Sequence, residues 1–215
     1  MSLKVNEIFY SIQGESSYAG YPCVFVRLTG CNLRCTYCDT RYAYDEGRDM
    51  AIDEIVERVA SYRCGLVEIT GGEPLIQKET PRLVSALLEQ GYQVLLETNG
   101  SQDISCVDER CVKIVDIKCP SSNEHEKNDK ENIQRLKEHD EIKFVIGTRE
   151  DYDYAKTMVE RIRRIHVNIQ IIHFSPVFGI MTPQQLAARI LEDRLNVRFH
   201  VQLHKIIWDP EERGV

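Results

Sequence analysis

Apolar and polar positions alternate along the first thirty or so residues and afterwards recur at helical spacing, with short apolar runs between. Val5 to Phe9 and Cys23 to Leu28 alternate as strands do. The second places Val24, Val26 and Leu28 on one face and Cys23, Phe25 and Arg27 on the other. Between them lies a polar, glycine-containing loop, Ser11-Ile12-Gln13-Gly14-Glu15-Ser16. Ile52, Ile55, Val56 and Val59 then predict a helix over Asp49 to Tyr62, with Asp53 and Glu54 in its early turns where the helix dipole favours acids. Leu66 to Thr70 reads as a short buried strand. Leu83, Val84, Leu87 and Leu88 predict a helix over Thr80 to Gln90, closed by Gly91. Strands follow at Tyr92 to Glu97 and Val112 to Ile117, then a wholly polar stretch from Pro120 to Lys130 that reads as a loop or lid. A short helix from about Lys130 to Glu138, strand Glu141 to Ile146, helix Glu150 to Arg164, strand Asn168 to Phe174, helix Pro183 to Leu195 and strand Arg198 to Gln202 complete the series.

Strand–helix alternation predicts a parallel sheet with right-handed crossovers. Six or so units are too few for a closed eight-fold barrel, which takes about 250 residues. The expected fold class is therefore α/β, an open sheet or partial (β/α)6 barrel with some helices reduced. No repeat or linker divides the 215 residues, so residues 1–215 read as a single domain in which residues 1–29 add a strand-and-loop extension to the pocket. In such folds ligands bind at the carboxyl ends of the strands.

Composition narrows the class. A net charge of −7 argues against a broad nucleic-acid or anionic-membrane footprint. No apolar run approaches the roughly 18 residues that span a bilayer, and no signal-peptide pattern opens the chain, so a cytoplasmic location is expected. In a reducing compartment the eight cysteines point to metal rather than disulfides.

Three of those cysteines, Cys31, Cys35 and Cys38, are spaced C-x3-C-x2-C in a loop opened by Gly30. Thiolates are soft ligands for zinc, copper(I) or iron–sulfur clusters. A structural zinc ion wants four protein ligands, and no usual partner pair follows. On a [4Fe–4S] cluster, where each iron normally takes one thiolate, three cysteines leave one iron open to a small molecule. Cys23, Cys64, Cys106, Cys111 and Cys119 read as buried or incidental, and Cys106 with Cys111 are too few for a second cluster. Strand Leu66 to Thr70 runs into Gly71-Gly72-Glu73-Pro74, where two glycines admit a ligand to the backbone and Glu73 adds an acceptor for an ammonium. Glu97-Thr98-Asn99-Gly100 and Asp116-Ile117-Lys118 end the next two strands at the same rim. Arg27 is a guanidinium in an apolar strand and must be paired if buried. Either Glu15 or another acid answers it, or it anchors a carboxylate-bearing substrate.

The cysteine spacing followed some thirty residues later by Gly-Gly-Glu-Pro resembles the radical S-adenosylmethionine (SAM) enzymes. The resemblance implies a partial barrel, a [4Fe–4S] cluster, and SAM chelating its fourth iron and cleaved reductively to a 5'-deoxyadenosyl radical. Ile12-Gln13-Gly14-Glu15, Phe25 to Cys31, Cys38-Asp39-Thr40, Thr70 to Pro74, Glu97 to Gly100 and the late Gln202-Leu203-His204-Lys205 together resemble the 7-carboxy-7-deazaguanine synthase family. That resemblance implies ring contraction of 6-carboxy-5,6,7,8-tetrahydropterin with loss of ammonia, on the route to queuosine and other deazapurines. It implies that Cys31, Cys35 and Cys38 hold the cluster and that Thr40 ligates Mg2+. SAM would meet Tyr37, Cys38, Asp39, Gly72, Glu73, Asp116, Ile117 and Lys118. The pterin would meet Ile12, Gln13, Gly14, Glu15, Arg27, Thr70, Glu97 and His204. It further implies a flavodoxin- or ferredoxin-type electron donor and a homodimer. A glycyl-radical-enzyme activase, or a non-catalytic iron–sulfur or zinc module, are the readings it competes with. His204 stands on the Gln-Leu-His-Lys match alone; His125, His139, His166, His173 and His200 have no such support.

Overall fold

The structure, a computed structural model, describes residues 1–165, 169 and 171–215. Its described strands form one sheet of nine, β1 (Ser2–Ile12), β2 (Pro22–Leu28), β3 (Arg48–Ala51), β4 (Leu66–Gly71), β5 (Gln93–Thr98), β6 (Val112–Asp116), β7 (Glu141–Ile146), β8 (Ile171–Pro176) and β9 (Arg198–Phe199). Their order is β3-β1-β2-β4-β5-β6-β7-β8-β9. The β1–β2 and β1–β3 pairs are antiparallel, and every pair from β2–β4 to β8–β9 is parallel. The sheet is open, as the count of units required.

Helices cover one face. Val24, Val26 and Leu28 of β2 pack with Ile55 and Val59 of α1 (Ile52–Ser61) and with Leu83, Val84 and Leu87 of α2 (Thr80–Glu89). A four-residue helix α3 (Asn132–Arg135) precedes β7. Farther along the sheet, Phe144 and Phe174 meet Tyr152, Ala155, Val159 and Ile162 of α4 (Arg149–Ile165) and Leu186 and Ile190 of α5 (Pro183–Glu192). Each such side chain contributes about 1.5–3 kcal/mol by burial. Thr182 starts α5 with a capping box to Gln185, and Pro183 follows at a position that needs no amide hydrogen. On the opposite face Phe9, Cys23, Phe25, Leu95 and Ile114 form a smaller apolar floor, with Phe9 and Phe25 stacked at 4.9 Å. Above that floor the strand ends are polar. No described helix is long and apolar enough to cross a membrane.

Four expectations need revision. The helix placed from Asp49 begins at Ile52, because Arg48–Ala51 pairs with Ser2–Val5 and buries Met50 opposite Leu3. The strand placed over Arg198 to Gln202 stops at Phe199; the chain then turns into α6 (His204–Ile207). The helix of about Lys130 to Glu138 is only α3. The 120–130 stretch is no lid: Thr36 donates from its amide to Ser122 O (3.2 Å) and from its hydroxyl to Ser121 O (2.7 Å), and the Arg34 amide donates to Glu124 (2.6 Å). It buttresses the cysteine loop. Of the strand placed from Asn168, Ile171 onward is observed; Asn168, like His166, lies outside the described residues.

Candidate functional site

The cysteine loop leaves the carboxyl end of β2 and is fixed by its own backbone. Gly30 donates to Ala43 O and accepts from the Glu73 amide, both at 2.8 Å. Leu33 is buried, and the Arg34 guanidinium donates to the carbonyls of Cys31 (2.8 Å) and Leu33 (2.7 Å) while lying 4.2 Å over the Tyr44 ring. Cys31, Cys35 and Cys38 are half-buried free thiols. The Leu33 amide (3.4 Å) and Asn99 side-chain amide (3.8 Å) point at the Cys31 sulfur, the donors a thiolate needs. Burial pushes the Cys35 thiol up to about 11, and that of Cys31 upward as well, with Lys118 opposing both. Three soft donors with amide hydrogen bonds suit a cluster in which each iron takes its own thiolate.

A cavity of about 460 Å³ runs from this loop to the Ile12–Glu15 loop, over the carboxyl ends of the central strands. Of the residues expected around the cluster and SAM, Cys35, Tyr37, Cys38, Asp39, Thr40, Gly72, Asp116 and Lys118 line it. Of those expected around the pterin, Ile12, Gln13, Gly14, Glu15, Arg27, Thr70, Glu97 and His204 line it too. Cys31 and Ile117 do not: Cys31 sits behind the wall in the loop, and the Ile117 side chain is in the core beneath β6. Glu73 is also absent from the wall and fully buried. Its carboxylate accepts from the Leu75 amide (3.0 Å), the Thr98 hydroxyl (2.8 Å) and the Asn99 amide (2.6 Å). The acceptor expected for an ammonium is therefore spent tying β4's turn to the end of β5.

The glycines have a packing reason too. A Cβ on Gly72 would lie 2.1 Å from Gly30 O and 2.7 Å from the Cys31 Cβ, so the Gly-Gly turn must be bare for the cysteine loop to sit on it. A Cβ on Gly14 would lie 2.2 Å from the His204 Nδ1.

Arg27 meets an acid, but Glu7 rather than Glu15. Its Nε donates to Glu7 at 2.8 Å, with the guanidinium 5.5 Å from the Phe9 ring centre and 5.8 Å from that of Tyr42. Glu15 instead takes the Lys143 ammonium at 2.6 Å and the Gln202 amide at 2.8 Å. Lys143 also binds Glu97 and stands 3.8 Å from Asp116, which Lys118 holds at 2.8 Å. Burial raises Glu15, but Lys143 and His204 outweigh it and hold the carboxyl well below the usual range. Burial raises Glu97, with Lys143 opposing. Two residues beyond Glu15, Ser17 donates its amide (3.0 Å) and hydroxyl to Glu141, which His173 Nε2 approaches at 2.8 Å. Alternate residues of β7, Glu141 and Lys143, thus grip alternate residues of the loop.

The Gln202-Leu203-His204-Lys205 stretch closes the ring. Leu203 donates to Gly14 O at 2.9 Å, and Lys205 reaches Asp39 at 2.5 Å and holds its carboxyl low despite burial. Burial lowers His204. Thr40 donates its hydroxyl to Asp39 at 3.0 Å, leaving hard oxygen donors beside Cys38. The side chains of Asp116 and Tyr37 each keep a buried oxygen without a partner, Oδ1 and the hydroxyl.

Sequence reasoning missed Glu68, Lys143, Gln202 and Lys205, all on the cavity wall. The sign that singled out Arg27 was present at two of them, where Val67-Glu68-Ile69 and Ile142-Lys143-Phe144 each set a charge inside an apolar strand; Val112-Lys113-Ile114 carries it too, but Lys113 pairs with Asp140 away from the cavity.

A family profile described as the radical SAM superfamily matches residues 25–187. The 7-carboxy-7-deazaguanine synthase of Chlorobaculum tepidum is 49% identical over 216 residues, covering 99% of this chain and 97% of its own. That of Koribacter versatilis is 45% identical over 227 residues, covering 99% of this chain and 100% of its own. Among solved structures, QueE from Escherichia coli has the same fold, with a TM-score of 0.80 over 95% of each chain at 22% identity.

Proposed function

Since the chain belongs to the 7-carboxy-7-deazaguanine synthases of the radical SAM superfamily, we propose that it converts 6-carboxy-5,6,7,8-tetrahydropterin to 7-carboxy-7-deazaguanine and ammonia in deazapurine biosynthesis. One observation carries the reading: a single cavity joins the three-thiol loop to a wall holding Arg27, Gln13 and Glu15. Residues 1–215 act as one domain.

Cys31, Cys35 and Cys38 hold a [4Fe–4S] cluster, which with bound SAM supplies the 5'-deoxyadenosyl radical. Around SAM stand the backbone of Tyr37, Cys38 and Asp39, the bare Gly72, the Gly72–Glu73 backbone and the side chains of Asp116 and Lys118. Asp116 suits an ammonium or hydroxyl, since its Oδ1 is buried without a partner. The Lys118 amide and carbonyl are both engaged by Asn128 at 2.9 Å, so its contribution is through the side chain. Ile117 only spaces the two.

Arg27 receives the pterin carboxylate. Glu7 takes one edge of its guanidinium and leaves the Nη groups free for a bidentate contact. Thr40, with Asp39 beside it, would hold Mg2+ through oxygen donors. Gln13, Glu15, Glu97, Thr70 and His204 fix the ring plane, and Lys143 keeps Glu15 ionised. Fixing the ring in this way is the main service the walls provide, because a radical reaction depends on the separation of the reacting atoms. A flavodoxin- or ferredoxin-type protein supplies the electron, and the enzyme works as a homodimer.

The test is anaerobic turnover of the reconstituted protein with the carboxypterin, SAM, Mg2+ and a strong reductant, read by mass spectrometry. Carboxydeazaguanine is the expected product. If 5'-deoxyadenosine forms without it, the substrate assignment is wrong.

A further inference from the structure

Glu68 lies in the middle of β4, in register with Phe25 of β2 and Leu95 of β5, and is 4% exposed. Its carboxyl faces the cavity, and its hydrogen-bond partner in the protein is the Gln13 side-chain amide. Among the described residues no lysine, arginine or histidine pairs with it. Burying a carboxyl without a cation costs several kcal/mol relative to an apolar residue. The β4 ladder needs only backbone at this position, so the fold gives no reason for an acid there. Such groups mark functional sites.

The neighbouring charges say what the acid is for. Glu68, Glu15 and Glu97 line the same cavity around a single ammonium, Lys143. Arg27 and Lys205 also line it and are paired with other acids, Glu7 and Asp39. The cavity therefore offers a carboxylate cluster rich in acceptors and, apart from it, the Arg27 guanidinium. A 6-carboxypterin has the complementary form: a carboxylate at C6 and, across the rings, the N3–H and 2-amino hydrogens of a cyclic guanidine. We propose that Glu68, oriented by Gln13, is a specificity-determining residue that accepts those hydrogens and selects ligands carrying the 2-amino group. The inference rests on the synthase reading given above. Burial, with Glu97 and Glu15 adding to it, pushes the Glu68 carboxyl well above the usual range.

The experiment measures affinity without turnover, on anaerobic holoenzyme with SAM and no reductant. Its two ligands are the 6-carboxytetrahydropterin and its 2-desamino analogue, and its proteins are the wild type, Glu68→Gln and Glu68→Asp. SAM affinity serves as the check that each variant is folded. Loss of the 2-amino donor, with N3–H retained, leaves one carboxylate oxygen unmatched and predicts a wild-type preference of roughly 10- to 100-fold for the 2-amino ligand. In Glu68→Gln the preference should fall to within about threefold, since an amide offers one acceptor where the edge has two donors. Glu68→Asp should restore part of it. A Gln variant that keeps the full preference, or that weakens both ligands equally, overturns the inference while leaving the synthase reading intact. A wild type that binds neither ligand overturns both.

Discussion

Removing the Lys143 ammonium tests the electrostatic account of the site. Lys143→Met keeps the length and apolar stem of the side chain and deletes the charge. Three carboxylates are affected, unequally. Asp116 retains Lys118 at 2.8 Å, whereas Glu15 keeps the Gln202 amide at 2.8 Å and the attraction of His204, and Glu97 loses its ion-pair partner. Breaking a buried pair by deleting one partner costs about 3–5 kcal/mol. The structure argues for one such cost rather than several, because Glu15 and Glu97 share a single cation. For a chain of this length that is roughly a 6–20 °C fall in thermal midpoint at neutral pH. The pH dependence supplies the sharper check. In the wild type Glu15 titrates below its unfolded value, so its stabilisation is present above pH of about 4.3 and is lost as pH falls through the folded value. In Lys143→Met the strongest opposition to burial is gone: Glu15 rises with only His204 and Gln202 still lowering it, and Glu97, already held above its unfolded value by burial, rises further. The deficit should then be largest near pH 7 and shrink as the pH falls toward 5. Thermal or urea unfolding followed by circular dichroism at several pH values, on anaerobically prepared protein, measures both. A deficit under about 1 kcal/mol that does not vary with pH would refute this account of Lys143.

Three further outcomes follow from the same geometry. Gly72→Ala should displace Gly30 and Cys31 and lower iron content after reconstitution several-fold, seen as lost absorbance near 400 nm; full cluster loading would show that the turn can yield. Arg27→Ala should weaken binding of the carboxypterin by roughly 10- to 100-fold, the value of a charge-assisted contact, while SAM affinity holds; unaltered pterin affinity removes Arg27 from the site. Thr40→Ala should abolish the response of the rate to added Mg2+, and an unchanged Mg2+ titration would place the cation elsewhere.

The elements and the cluster loop were legible because their signals are local. The alternation of β2 sorted Val24, Val26 and Leu28 from Cys23 and Phe25, and the two sets do occupy different cores. Periodicity likewise found α1, α2, α4 and α5 to within a few residues, and the cysteine spacing identified the chemistry without any coordinates. Where the sequence was misread, the deciding contact came from far away. Residues Arg48–Ala51 became a strand because Leu3 and Met50 gain burial by pairing, and 120–130 became a buttress because the cysteine loop lies against it.

What no short-range pattern determined is which charge meets which. Arg27 signalled that it needs a partner, but only the β1–β2 register chose Glu7 over Glu15. Glu15 is joined to Lys143 across 128 residues and to Gln202 across 187, and Asp39 to Lys205 across 166. Burying a charge requires a counter-charge or a hydrogen bond. That rule makes Glu68, Lys143 and Arg27 conspicuous in the sequence. It does not name their partners, because the partner is whichever group the sheet order brings to the same rim. The chain by itself therefore determined that this protein has strands ending in polar groups beside a three-thiol loop. The order of the strands decided that these groups form one cavity and which acid and base pair on its wall.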